Sequence, residues 1–176
     1  MITLLIVDYL PANRSLNPRG GNNKMAELIK FESTVSFLLA KVSTAFRNSL
    51  ERRMGEIGLH GGQIFVLFEL WKKDGQRQVD LAKQLDIAAP TINKMIKGLI
   101  DINLVERARY DDDGRSTRIF LTPLGVSMRP QIEAQWLELE ENCLSCLNET
   151  ERMILFNILN KLRSNYTGRP DPEDGE

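Results

Sequence analysis

Leu104-Val-Glu-Arg-Ala-Arg-Tyr-Asp-Asp-Asp-Gly-Arg-Ser-Thr-Arg-Ile-Phe-Leu-Thr-Pro-Leu-Gly125 is the stretch on which the fold of this 176-residue chain turns. Two short β-prone runs, Leu104-Val105 and Ile119-Phe-Leu121, flank a polar turn from Tyr110 to Ser116. Asp113-Gly114 is a turn signal, because a tight hairpin loop needs the left-handed backbone that Gly, Asn and Asp tolerate. The spacing predicts a β-hairpin with Arg115 at its tip and Arg109 and Arg118 on its arms. Its far end starts a helix: Thr122 offers a side-chain oxygen as N-cap, and Pro123 fits the first helical position.

Upstream, Pro90 suits the first turn of a helix that runs to about Asp101, apolar at Ile92, Met95, Ile96, Leu99 and Ile100. Before it lies a short helical pattern, about Gln78 to Gln84, with Val79, Leu81, Ala82 and Leu85 expected to face inward. A longer one spans about Gly61 to Lys73 and stops at Asp74-Gly75. From about Ala26 to Gly55, Val35, Leu38, Leu39, Val42, Ala45, Phe46 and Leu50 follow helical spacing. Downstream come two more helical patterns, about 123–147 and 149–165, the second opened by Asn148-Glu-Thr-Glu151. The order helix, helix, turn, helix, hairpin over 61–122 is that of a winged helix-turn-helix. The fold class is mainly α with a small β-hairpin wing, flanked by long N- and C-terminal helices.

Composition narrows the classes of function. At 42% hydrophobic and 27% charged the chain has ordinary globular values. No apolar run approaches the roughly 18 residues of a membrane span. The start, Met1-Ile-Thr-Leu-Leu-Ile-Val7, is apolar only as far as Asp8 and has no basic leader, a poor secretory signal. A cytoplasmic, nucleoid-associated protein with no membrane partner is expected. Two cysteines and one histidine suit neither a disulfide framework nor a structural zinc site. The net charge is −1, but the last ten residues set four acids against Arg169, leaving +2 on the body. Residues 1–24, broken by Pro, Gly and Asn, are either a flexible arm or the product of an upstream start, with Met25 as the natural one. Residues 167–176 are expected to be a disordered acidic tail.

The helix over 90–101 carries the functional signal. With Ile92, Met95, Ile96 and Leu99 turned inward, Ala89, Thr91, Asn93, Lys94 and Lys97 form an outer face of short or hydrogen-bonding side chains. Such a face can enter a DNA major groove, where Asn and Thr read base edges and Lys meets phosphate or guanine. Thr91, Asn93, Lys94 and Lys97 are therefore candidate DNA contacts, although a solvated face would expose the same residues. Arg115, on a projecting loop, suits the negative potential of a narrow minor groove. Asp113 is expected to support the wing by pairing with Arg107 or Arg118. Cys143-Leu-Ser-Cys146 falls within a helical pattern rather than at a helix N-terminus, which favours packing over thiol chemistry. His60 reads as a helix-start residue. No Gly-rich phosphate loop, nucleophile–base pair or paired carboxylates can be recognised, so no catalytic residue and no cofactor or metal are assigned.

The hairpin resembles the wing of the MarR family of transcriptional regulators. Asp113, Arg115 and Arg118 meet its Asp-x-Arg-x-x-Arg element, and Leu121, Thr122 and Gly125 its Leu-Thr-x-x-Gly closure. Leu59 to Gln63 and Val79 to Lys94 are similar to the second helix and helix-turn-helix of that family, and the likeness covers about residues 30–165. It implies a homodimer on a pseudo-palindromic operator, with residues 25–58 and 123–166 as dimerisation helices around a DNA-binding domain at 59–122. It further implies a repressor that a small anionic or phenolic effector releases. Two departures stand out: Ala88 and Ala89 replace a hydroxyl residue ahead of the fourth helix, and Gly98 lies inside it. The other reading is a winged-helix protein-interaction module that never binds DNA, which a near-neutral charge would suit.

Overall fold

A computed structural model describes residues 31–109 and 117–167. Two compact units divide the chain, 1–42 and 43–176. The expectations for residues 1–24 and for the acidic tail fall outside the described residues.

Helix α1 (Val35–Gly55) starts later than its periodicity predicts. A 3-10 turn occupies Phe31–Ser33, and Thr34 Oγ1 then accepts the Phe37 N–H at 3.2 Å, which fixes the first turn at Val35. Helix α2 (Gln63–Lys72) follows, then a strand β1 (Gln76–Arg77) that sequence reading did not foresee. Two residues are too few to show a period of two. Buried Gln76 makes the strand possible, because its Nε2 donates to the carbonyls of Glu69 and Lys73, both at 2.8 Å, closing the end of α2.

Helices α3 (Gln78–Gln84) and α4 (Ala89–Asp101) both end in a Schellman motif, with a residue other than glycine in the left-handed region. After α3 it is Asp86 (φ 52°), with Ile87 N bonded to Ala82 O at 2.9 Å. After α4 it is Asn103 (φ 58°), with Leu104 N bonded to Leu99 O at 2.9 Å. Val79 corrects the expected inward face of α3: it is 56% exposed while Leu81 is fully buried. The two lie about 200° apart around a helix and cannot share one face.

Strands β2 (Val105–Arg109) and β3 (Thr117–Leu121) pair antiparallel, with Val105 opposite Leu121 and Arg107 opposite Ile119. They are longer than the two apolar runs suggested. β1 adds to the other edge of β3, giving the order β1-β3-β2. Ile64, Leu67, Leu81, Ile92, Ile96 and Ile119 lie at the centre of the core that joins this sheet to α2, α3 and α4.

The pattern over 123–147 is not one helix. It divides into α5 (Pro123–Ser127) and α6 (Arg129–Leu144). Pro130 has no N–H for the Val126 carbonyl, and its ring crowds that turn, so the chain breaks at Met128. Thr122 caps α5 as expected, accepting Gly125 N–H at 3.0 Å. Trp136 of α6 meets Phe46, Phe65 and Phe68 edge to face, with centroids 5.9, 6.0 and 5.5 Å away. Helix α7 (Glu149–Thr167) opens on a reciprocal capping box: Glu151 N–H donates to Asn148 Oδ1, and Asn148 N–H donates to Glu151 Oε2. Cys143 and Cys146 are free and exposed in the single chain.

Candidate nucleic-acid interface

Helix α4 is built to hold one face in the protein and offer the other. Ile92, Ile96 and Leu99 are fully buried, whereas Thr91, Asn93, Lys94 and Lys97 are exposed, as their spacing required. Among the described residues neither Lys94 nor Lys97 makes an ion pair, so both charges are open to an anionic partner. The N-cap is Ala88, in extended conformation and with no side-chain cap. The first-turn amides of α4 therefore lack a side-chain acceptor at the end where a helix attracts anions.

Gly98, the second departure, has a structural reason. A Cβ there would collide with Nε2 of Gln63, a buried side chain that crosses α4 at this point. Gln63 is not free to move aside, since its Oε1 accepts the His60 N–H at 2.8 Å. The glycine thus lets α2 approach α4 closely. In α1, Glu51 accepts from Gly61 N–H and from His60 Nδ1, both at 2.7 Å. These bonds, that of His60 foremost, hold the Glu51 carboxyl below its ordinary value of 4.5. His60 itself lies in the loop ahead of α2 rather than at the helix start expected of it. Beside it a cleft of about 520 Å³ runs along α4, lined by His60, Gln63, Thr91, Lys94, Met95 and Asp101 among others.

Each of the two arginines expected to pair with Asp113 reaches a further partner among the described residues. Arg118 Nη1 donates to the Gly75 carbonyl at 3.1 Å, fastening β3 to the turn before β1. Arg107 reaches from β2 to the outer face of α4, where its Nη2 donates to Asn93 Oδ1 at 2.9 Å and to Gln78 Oε1 at 3.3 Å. Asp113 and Arg115 themselves lie outside the described residues. Sequence reading brought Asn93 and Arg107 forward separately but missed that they touch, and it missed Gln78. Fourteen residues of chain separate the first pair, so no local period could reveal the contact.

The comparisons agree with this geometry. The model of the MarR family matches residues 60–117, from the loop ahead of α2 to the first residue of β3. An HTH-type transcriptional regulator of Bacillus subtilis, YdgJ, is 29% identical over 111 residues, which is 61% of this chain and 66% of that one. A MarR transcriptional regulator from Methanosarcina mazei superposes with a TM-score of 0.68 at 26% identity, covering 74% of this chain and 94% of that structure.

Residues 60–117 of the chain match the MarR family, and the chain has the fold of a MarR regulator. Its mainly helical body with a small antiparallel sheet is the winged helix-turn-helix of these regulators, with α4 as recognition helix and β2–β3 as the arms of the wing. BpsR of Bordetella bronchiseptica shares the fold, with a TM-score of 0.69 at 22% identity over 76% of this chain and 97% of that one. Among the described residues no helix is long and apolar enough to cross a membrane.

Proposed function

We propose that this protein is a MarR-family repressor that binds a pseudo-palindromic operator as a homodimer. The observation that carries the reading is the outer face of α4, where Thr91, Asn93 and two uncompensated lysines stand clear of the core. In this reading the two recognition helices enter successive major grooves about 34 Å apart, with Arg115 of each wing in a flanking minor groove. Asp113 supports the wing tip. The partner copy covers two apolar faces, Val35, Leu38, Leu39 and Val42 on α1, and Met153, Ile154, Phe156 and Leu159 on α7, all exposed in the single chain. Exposed stripes of this length mark interaction surfaces.

A small anionic or phenolic effector releases the operator. Support comes from BpsR, whose DNA binding is regulated by 6-hydroxynicotinic acid. The effector acts by favouring a dimer whose two recognition helices no longer match the groove spacing. The protein is a regulator rather than an enzyme and works at the chromosome in the cytoplasm.

Competition binding tests this reading. The protein is titrated onto duplex DNA from upstream of its own gene, with unrelated duplex as competitor. Retention against excess competitor, reduced strongly by Arg115→Ala with the dimer intact, is the expected result. Binding no better than to competitor would remove the proposed self-regulation. Failure to bind any duplex would favour a protein-interaction module, the role that the net charge of −1 suits.

A further inference from the structure

His60, the one histidine of the chain, is held at one ring nitrogen and open at the other. The Glu51 carboxyl, held below its ordinary range, is ionised near neutral pH. One of its oxygens accepts the Gly61 N–H and the other meets His60 Nδ1, both at 2.7 Å. An ionised carboxylate only accepts, so Nδ1 carries the hydrogen and the tautomer is set. A neutral His60 then presents a lone pair at Nε2, and only the protonated ring presents an N–H there. The backbone beneath is fixed as well, since the His60 N–H donates to Gln63 Oε1 at 2.8 Å. The side chain is 81% exposed and borders the cleft that Thr91, Lys94 and Lys97 of α4 also line. The charged groups around it act in both directions. Glu51 on α1 and Asp101 on α4 favour a cationic ring, whereas Lys94 and Lys97 on α4 oppose it. A DNA phosphate at this surface would offset the two lysines.

We infer that His60 is a further DNA-backbone contact, oriented by Glu51, whose Nε2–H donates to a phosphate only when the ring is protonated, so that duplex binding takes up protons. Affinity then rises as pH falls through the range in which a histidine changes charge, about pH 8 to 5. The inference rests on the DNA-binding reading above. It does not depend on which operator is bound, because a phosphate contact carries no base sequence.

Anisotropy titrations of the full-length protein on one duplex, at fixed low salt and at several values between about pH 7.5 and 6, test it. Half a proton taken up per complex corresponds to about threefold in affinity per pH unit, and a whole proton to about tenfold. Wild type is expected to gain at least the smaller of these. His60→Gln, which cannot be charged, should flatten the profile at the wild-type level of about pH 7.5. Glu51→Gln no longer forces the hydrogen onto Nδ1, so an Nε2–H is available to the neutral ring and the profile should be shallower than in wild type. A wild-type affinity that does not change over this range would overturn the inference, and so would a slope that His60→Gln retains. A folded Glu51→Gln protein with the wild-type slope would overturn the orienting role of Glu51. Failure to bind duplex at any of these pH values would instead sink the DNA-binding reading, and the inference with it.

Discussion

At Gly125 the obstacle to a side chain is backbone. A Cβ there would run into the Leu104 carbonyl, which already accepts the Thr122 N–H at 3.1 Å. Neither strand nor helix can yield, so Gly125→Ala should destabilise by about 1–3 kcal/mol in urea unfolding, the usual cost of overpacking. Gly55→Ala, which meets nothing within 4 Å, is the matched control. At Gly98 the obstacle is the Gln63 amide, and the helix propensity that alanine adds, about 1 kcal/mol, works against it. Gly98→Ala should therefore be more favourable in a Gln63→Ala background than alone, a coupling that a double-mutant cycle reads directly. The sequence displays the propensity cost of Gly98 but not its cause, because Gln63 is distant in the chain. Glu51 adds a pH dependence. Its folded carboxyl titrates below 4.5, so the stability it contributes is present above that value and is lost as pH falls through the lowered one. Urea unfolding from about pH 6 down to about pH 3 should show a smaller acid-side loss in Glu51→Gln than in wild type.

At the scale of elements, local chemistry was legible and long-range pairing was not. Thr122-Pro123 announced α5, and Asn148 to Glu151 announced α7, because capping is a matter of three or four neighbouring residues. Asn148→Ala should lower stability by about 1 kcal/mol. Both halves of the box lie on the surface, so a chemical melt will report the cap with little repacking. β1 was invisible because it exists through its pairing with β3, far downstream in sequence, rather than through a pattern of its own. The break at Met128 was legible in principle: Pro130 lies inside the pattern, and the apolar period had masked it. The inward placing of Val79 failed for a related reason. In a seven-residue helix, too few turns exist to separate one face from two.

For the whole molecule, the helical period along α1 marked Val35, Leu38, Leu39 and Val42, which stay exposed in a single chain, and α7 carries a second exposed apolar face that its sequence pattern had not marked. Phe156 remains 61% exposed, in a helix with no buried residue among those described. Phe156→Glu should shift the protein to monomer in sedimentation equilibrium. Its winged domain should still unfold cooperatively, and operator affinity should fall because one recognition helix then binds alone. The recognition helix was the most legible part of the interface: every residue placed on its outer face by spacing is exposed. What the sequence withheld was the Arg107–Asn93–Gln78 cluster, which forms only when β2, α4 and α3 come together. The central claim is that this face binds phosphate-bearing duplex DNA, and a salt titration of the purified protein on its operator tests it most directly. Affinity should fall by about 10³–10⁵ between about 50 and 200 mM salt if six to ten phosphates are neutralised, with a shallower slope for Lys94→Ala. Affinity independent of salt, or a slope unchanged in both Lys94→Ala and Lys97→Ala, would contradict it.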